Sequence, residues 1–138
     1  MMSLDTNVIA RFYVDDPQDP QAARQRPAAR QVFEESGALF VPLTVVLELE
    51  WVLRAFYGFS TLQFTKVVRH LAGLPNVTLE SAATVLSALQ AHSNGLDFAD
   101  ALHLRASSSC EAMLSFDDRK FGRRAKRLNL QPPVVVPG

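Results

Sequence analysis

Five acidic residues of this chain lie beside or inside apolar segments: Asp5, Glu48, Asp97, Asp100 and Asp117. A carboxylate in such a place must be solvated, paired or bound to a cation, because leaving it dry and alone costs too much free energy. Hard divalent cations such as Mg²⁺ prefer carboxylate oxygen and water as ligands. Four carboxylates in one pocket could not all stay ionised without such a cation. These residue types therefore point to metal-dependent chemistry.

Two of these acids follow predicted strands. Asp5 comes after the short apolar lead MSL, and Asp117 comes after AMLSF. Open parallel sheets bind ligands at the carboxyl ends of their strands, so both acids stand where a reactive site is expected. The competing interpretation is that each only caps the next helix, since Asp is a favoured N-cap residue. On composition alone, the capping interpretation is the stronger one.

The segment LDFADALHL, residues 96–104, adds two carboxylates three positions apart. On a helix Asp97 and Asp100 share a face, where like charges repel unless a cation or the helix dipole offsets them. Asp97 is expected to be the N-cap, whereas Asp100 is flanked by apolar residues. His103 is predicted to be a packed or rim histidine, because no second His or Cys nearby would complete a zinc site.

The segment VVLELEWVL, residues 45–53, contains two glutamates in an apolar run. As a strand it would put both on one solvent-facing side, whereas the length of Thr44–Tyr57 favours a helix. On a helix the two separate, because Glu50 gains Arg54 four residues on as a surface partner. We therefore predict a helix with Glu48 in a pocket and Glu50 on the solvent face. If the segment were a strand, this assignment of Glu48 would fail.

Strands separated by helices of about ten or more residues indicate parallel crossovers. The sequence predicts an α/β fold, with a central parallel sheet of about four to five short strands flanked by helices. The predicted strands are Met2–Asp5, Leu39–Val41, Val77–Leu79, Ala112–Phe116 and Val134–Val136. The predicted helices are Asn7–Val14, Gln21–Ser36 with a reset at Pro27, Thr44–Tyr57, a helix capped by Ser60 that runs to about Gly73, Ala82–His92, a helix capped by Asp97 that runs to about Ser109, and the basic helix Arg119–Arg127.

Global composition sets the class of protein. The chain has 138 residues, of which 48% are apolar and 20% charged, and this composition is typical of one globular domain over residues 1–138. The net charge is zero, so there is no overall electrostatic attraction to nucleic acid or membranes. The single cysteine, Cys110, excludes an internal disulfide and fits a reducing compartment. No signal peptide or long apolar run is visible. We expect a cytoplasmic protein.

Four segments, in order, resemble the four acidic motifs of the PIN domain: LDTNVIARF, VVLELEWVL, DFADALHL and LSFDDRKF. Their spacing resembles the VapC branch of bacterial toxin–antitoxin ribonucleases, and the resemblance extends from residue 3 to about residue 122. It places the family's acids on Asp5, Glu48, Asp100 and Asp117, with Asp97 a frequent companion of Asp100.

This resemblance implies Mg²⁺ or Mn²⁺ in the acidic pocket and hydrolysis of RNA, often tRNA or rRNA, by an activated water. It further implies a homodimer and a cognate VapB-like antitoxin that blocks the active site. We expect Asp5 and Asp100 to be the principal ligands, while Glu48 and Asp117 bind through water, take a second metal or position the nucleophile. The expected donors that orient these carboxylates are Thr6, Asn7 and Ser115.

The stretch Arg119–Arg127 holds six of the 14 Lys and Arg residues. It is either a solvated helix face or a phosphate-binding surface beside the acidic pocket. The RNA-binding candidates are Arg119, Lys120, Arg123 and Arg124. An antitoxin with an acidic tail could use the same surface.

Two other functions remain open from the sequence. The chain could be a non-catalytic RNA- or protein-binding module on the same fold. A phospho-acceptor domain ranks third, because no lysine follows a predicted strand. The apolar residues after the Glu48 helix, such as Phe56, Leu62, Phe64 and Val67, are each expected in the core, with a dimer or antitoxin groove as the alternative.

Overall fold

The computed structural model describes all 138 residues, Met1–Gly138. They form two compact units, Met1–Ala82 and Ala83–Gly138. Seven α-helices and five short parallel strands confirm the predicted α/β class. The strands pair as a group of three and a group of two. No helix combines the length and the apolar character that a membrane crossing requires.

The first unit is built on three strands, β1 (Met2–Ser3), β2 (Leu39–Val41) and β3 (Val77–Leu79). They lie in the order β1-β2-β3, and both pairs are parallel. The central strand is the most apolar, with Leu39 and Val41 completely buried. Because the strands are parallel, their carboxyl ends share one edge, and Asp5 follows β1 at that edge.

Four helices complete the first unit: α1 (Thr6–Tyr13), α2 (Pro20–Glu35), α3 (Leu43–Tyr57) and α4 (Thr61–Gly73). Helix α1 packs against α2 and α3. Helix α3 ends at Gly58, whose φ of +66° suits a residue without a Cβ atom. Ser60 caps α4 as predicted, and Gln63 completes a capping box with it. The continuous helix α3 excludes the strand interpretation of VVLELEWVL.

Helix α2 differs from its prediction. It runs uninterrupted through Pro27, so the expected reset at that residue is wrong. The proline of the first turn is Pro20, where the missing N–H is not needed, and Asp19 caps the helix. An internal proline removes one backbone hydrogen bond, but Ala29 and Phe33 beyond it are buried and hold the helix in place.

The second unit holds the remaining elements: α5 (Ala82–Ser93, which begins at the boundary), α6 (Phe98–Ala106), β4 (Met113–Leu114), α7 (Arg123–Arg127) and β5 (Val134–Val135). Strands β4 and β5 are parallel. Helix α6 ends earlier than predicted. The expected single basic helix is instead a π-helical turn over Asp118–Gly122 followed directly by α7.

Several apolar side chains near the end of α3 are exposed rather than buried. Phe64 and Val67 lie in the core as expected, but Phe56 and Leu62 are 67% and 62% exposed, so the core prediction is wrong for both. Trp51 is also exposed and meets the Phe56 ring edge-on, with ring centres 5.3 Å apart. This surface is more apolar than a solvated helix end requires.

Candidate active site

Asp5 caps helix α1. Its backbone is extended, and its Oδ1 atom accepts a hydrogen bond from the Thr6 amide at 2.8 Å. The side chain is exposed, and no protein group bonds its second carboxylate oxygen. The capping interpretation is therefore correct, yet it is compatible with a ligand role, because the cap fixes the direction of the carboxylate and leaves one oxygen available.

Glu48 is held by a hydroxyl group of the neighbouring helix. The Thr6 Oγ1–H donates to Glu48 Oε1, which joins α1 to α3. Thr6 is buried, with 4% of its surface exposed, whereas Glu48 is exposed. Thr6 was predicted as a donor to a carboxylate, and it donates to Glu48, although Glu48 was expected to be buried and is exposed. The second oxygen of Glu48 has no protein partner.

Glu50 contradicts its prediction. The expected pair with Arg54 is present, with Nε to Oε2 at 2.8 Å, but Glu50 is only 7% exposed. The physical reason is its place in the buried stripe of α3, beside Val46, Leu49 and Leu53. Positions 46, 49, 50 and 53 share one helix face, so Glu50 faces the core and Glu48 does not. The helix separates the two glutamates as expected, but with the opposite exposure.

A cleft of about 620 Å³ opens in the first unit, and we call it the acidic cleft. Four carboxylates line it: Asp5, Asp16, Asp19 and Glu48. Thr6 and Asn7, the predicted orienting residues, line it as well. Asp16 and Asp19 were not predicted as site residues. Their signal in the sequence is the polar stretch DDPQDP, which the structure folds into the turn before α2 and the first residue of that helix.

Arg11 is the other residue that sequence reasoning missed. It lines the acidic cleft on α1, four residues after Asn7 and therefore on the same helix face. Its Nε donates to Gln25 Oε1 and its Nη1 donates to the Tyr57 hydroxyl, each at 2.9 Å. The helical spacing from Asn7 could have indicated its direction, but neither partner is adjacent to it in the sequence.

Three of the predicted acids, Asp97, Asp100 and Asp117, lie in the second unit, where the charges of Asp97 and Asp117 act on Asp100. Burial raises the pKa of Asp100, and the negative charges of Asp97 and Asp117 raise it further. The charges of His103 and Arg124 oppose this and lower the pKa. Asp100 is half-buried, so it combines partial desolvation with like-charge repulsion. A cation would relieve both.

Asp97 and Asp117 also act as caps. Asp97 Oδ1 accepts from the Asp100 amide at 3.2 Å, and Asp117 Oδ1 accepts from the Lys120 amide at 3.0 Å. The Asp117 amide in turn donates to Ser115 Oγ at 3.0 Å, which fixes the turn after β4. Ser115 thus holds the backbone of Asp117 rather than its carboxylate.

The basic residues of the second unit divide into two groups. Arg124 is half-buried and acts on Asp100, whereas Arg119, Lys120 and Arg123 are exposed. None of them forms an ion pair, since the ion pairs of the chain are Arg26–Asp15 and Arg54–Glu50. Arg123 also lines a second cleft of about 610 Å³ next to β5. Arg123 and Arg124 are adjacent residues of α7 and therefore face different surroundings.

The donor set fits a hard divalent cation. Free carboxylate oxygens remain on Asp5 and Glu48 in the first unit and on Asp100 and Asp117 in the second. Oxygen ligands of this kind match Mg²⁺ or Mn²⁺ and not a thiolate-seeking metal. Within neither unit are three or more His, Cys, Asp or Glu side chains already gathered around one point.

Comparison with known proteins gives one positive finding. Residues 2–127 match the family described as the PIN domain. This range includes every acid of the candidate site, from Asp5 to Asp117. A comparison with curated proteins gives no match.

Proposed function

The chain belongs to the PIN-domain family, and from this premise we propose that it is a metal-dependent endoribonuclease, the VapC-type toxin of a type II toxin–antitoxin module. The PIN domain is generally a nuclease fold, and PIN-domain nucleases generally use divalent metal ions. The proposed ion is Mg²⁺ or Mn²⁺, and the proposed substrate is RNA, of the tRNA or rRNA class. The observation that carries the proposal is the half-buried Asp100 carboxylate, whose pKa is raised by burial and further by the negative charges of Asp97 and Asp117.

The proposal gives roles to the four acids expected from the sequence. Asp5 and Asp100 are its principal metal ligands, and Glu48 and Asp117 complete the set. When bound, the divalent ion supplies Lewis acidity toward a water nucleophile and toward the phosphate. Asp97 contributes negative charge and caps α6.

The supporting residues keep these carboxylates in place. Thr6 donates to one oxygen of Glu48. This bond restricts the rotamers of the Glu48 side chain and so fixes the direction of its second oxygen. Ser115 fixes the turn that carries Asp117. Asn7 lines the acidic cleft and offers an amide to substrate or to a bound water.

The cations of the second unit are the proposed binding surface for the RNA backbone. Arg119, Lys120 and Arg123 are exposed and unpaired, so they need not break an ion pair to reach a phosphate. Arg124 instead moderates the negative charge around Asp100. Binding through such contacts weakens as salt concentration rises.

The proposed partners are a second copy of the chain and a VapB-like antitoxin. The support is the exposed pair of rings Trp51 and Phe56, because large exposed apolar groups in contact often mark an interaction surface. Phe56 also lines the acidic cleft, so a partner covering this surface would restrict access to the cleft.

The direct test is cleavage of total tRNA and rRNA by the purified protein in Mg²⁺, in Mn²⁺ and in EDTA. We expect metal-dependent cleavage that Asp5→Asn and Asp100→Asn each abolish. Glu34→Gln is the matched control, since Glu34 is an exposed acid of α2 outside the acidic cleft, and this variant should cleave like wild type. RNA binding without any cleavage would support a non-catalytic module instead.

A further inference from the structure

Arg11 has an unusual environment for an arginine. It is the one cationic side chain that lines the acidic cleft, where four carboxylates surround the same space. An arginine among carboxylates ordinarily pairs with one of them. Arg11 forms no ion pair, because the ion pairs of the chain involve Arg26 and Arg54. Its positive charge is thus uncompensated at short range.

Two neutral groups hold the guanidinium instead. Gln25 of α2 accepts from its Nε and Tyr57 of α3 accepts from its Nη1, each at 2.9 Å. These hydrogen bonds use two of the N–H donors and leave the others without a protein acceptor. A half-buried guanidinium held by neutral partners keeps its full charge and is already restricted in its rotamers before any ligand binds.

An anion is the ligand that this arrangement suits. The guanidinium presents its donors in a plane, which matches two oxygens of a phosphate or carboxylate. A phosphodiester that enters the acidic cleft meets the repulsion of four carboxylates, so a fixed positive group there has a clear electrostatic role. Chain carboxylates line the same cleft, yet none of them is paired with Arg11.

We propose that Arg11 binds a phosphate of the RNA substrate in the acidic cleft and thereby positions the strand. This inference rests on the proposed nuclease function. Gln25 and Tyr57 are positioning residues in it, because they act through Arg11. The competing explanation is that Arg11 only ties α1 to α2 and α3, in which case its removal lowers stability and leaves RNA binding unchanged.

The test measures binding of a fluorescently labelled single-stranded RNA oligonucleotide at several KCl concentrations, with Ca²⁺ in place of Mg²⁺ and the RNA checked for integrity. Arg11→Gln should weaken binding roughly ten- to a hundredfold, the range for a hydrogen-bonded charge. It should also make the slope of log K against log salt less steep by about 0.7, because the variant neutralises one phosphate fewer. Arg24→Gln is the matched control, since Arg24 is an exposed arginine of α2 outside the cleft, and it should bind within about twofold of wild type.

Arg11→Lys is a second variant that tests the inference even if Arg11→Gln folds poorly. Lysine keeps the charge but lacks the planar fork, so the salt slope should stay near that of wild type while affinity falls several-fold. Wild-type affinity and slope in both Arg11 variants would overturn the inference.

The inference and the proposed function fail in different ways. If wild type cleaves RNA in Mg²⁺ and Arg11→Gln binds and cleaves equally well, only the inference about Arg11 is overturned. If RNA binding depends on Arg11 but wild type never cleaves, the inference on binding is supported and the nuclease proposal is contradicted. A drop in melting temperature shared by Arg11→Gln and Gln25→Ala, with unchanged binding, would identify Arg11 as a structural cross-link.

Discussion

The hydroxyl of Thr6 donates to the carboxylate of Glu48, and this single bond joins the first residue of α1 to the middle of α3. The donor is buried and the acceptor is exposed on the wall of the acidic cleft. Asp5, which precedes Thr6, caps the same helix. The adjacent residues Asp5 and Thr6 therefore place two carboxylates of the cleft: Asp5 supplies its own, and Thr6 orients that of Glu48.

Thr6→Val should weaken both the fold and the proposed activity. Valine has nearly the same shape but no hydroxyl, so the bond to Glu48 is removed at a cost of about 1 kcal/mol in the free energy of unfolding. The freed Glu48 side chain should lower RNA cleavage by roughly tenfold. Urea unfolding and cleavage rates measure the two effects. Thr6→Ser keeps the hydroxyl and should restore cleavage; equal rates for Thr6→Val and wild type would contradict an orienting role.

Glu48→Gln and Glu50→Gln form a matched pair of variants on one helix. Gln at position 48 can still accept from Thr6, so it removes the charge and little else, and we expect RNA cleavage to be abolished with stability retained. Gln at position 50 can still accept from Arg54, most of which is exposed, so stability should change by no more than about 1 kcal/mol. Cleavage by Glu50→Gln should equal that of wild type. The opposite result would mean that the buried glutamate is the functional one.

Asp100→Asn should raise stability at neutral pH when no divalent metal is present. The pKa of Asp100 is raised above the ordinary value of 3.8 in the folded state, chiefly by burial. Between 3.8 and the raised pKa, the folded state binds more protons than the unfolded state. The free energy of unfolding therefore falls as the pH rises through this range. Asparagine has no such charge, and its advantage in EDTA should shrink toward pH 4.

Thermal unfolding between pH 4 and pH 8, in EDTA and then in Mn²⁺, measures this effect. Mn²⁺ should raise the melting temperature of wild type and leave that of Asp100→Asn nearly unchanged, because a ligand that binds only the folded state stabilises it. A lower melting temperature for Asp100→Asn than for wild type at pH 8 in EDTA would show that the Asp100 charge is already compensated within the protein.

Arg123→Gln should weaken RNA binding in a salt-dependent way. Arg123 is exposed and forms no ion pair, so its replacement should make the salt slope less steep by about 0.7 without a change in melting temperature. Lys66→Gln is the control, because Lys66 is an exposed cation of α4 in the other unit. If Arg123→Gln bound RNA with the same affinity and salt slope as Lys66→Gln, Arg123 would be a solvent-exposed residue without a role in RNA binding.

The glutamates of α3 show which features of this helix the sequence could predict and which it could not. Length and the terminal glycine correctly predicted a helix over VVLELEWVL. The exposure of Glu48 and Glu50 came out reversed because the helix carries apolar residues on two faces, one with Val45 and Val52 and the other with Val46, Leu49 and Leu53. Only packing against the rest of the unit decides which face is buried, and periodicity cannot rank two apolar stripes.

The acidic cleft shows the same limit for a site. Asp5 could be singled out because it follows a strand, and Thr6 because it adjoins Asp5. Arg11 could not, since its role depends on Gln25 and Tyr57, which are distant in the chain and brought together by the packing of α1 against α2 and α3. The cap of Asp5 leaves its second carboxylate oxygen without a protein partner, so residue type alone could not separate a cap from a ligand.

The chemistry of the RNA ends produced by the purified protein tests the central claim most directly. Attack by water leaves linear phosphate ends, whereas attack by the neighbouring 2′-hydroxyl leaves a 2′,3′-cyclic phosphate and a 5′-hydroxyl. We predict linear phosphate ends that form in Mg²⁺ or Mn²⁺, disappear in EDTA and are absent with Asp5→Asn. Cyclic phosphate ends, or cleavage that persists in EDTA, would contradict metal-dependent hydrolysis by these carboxylates.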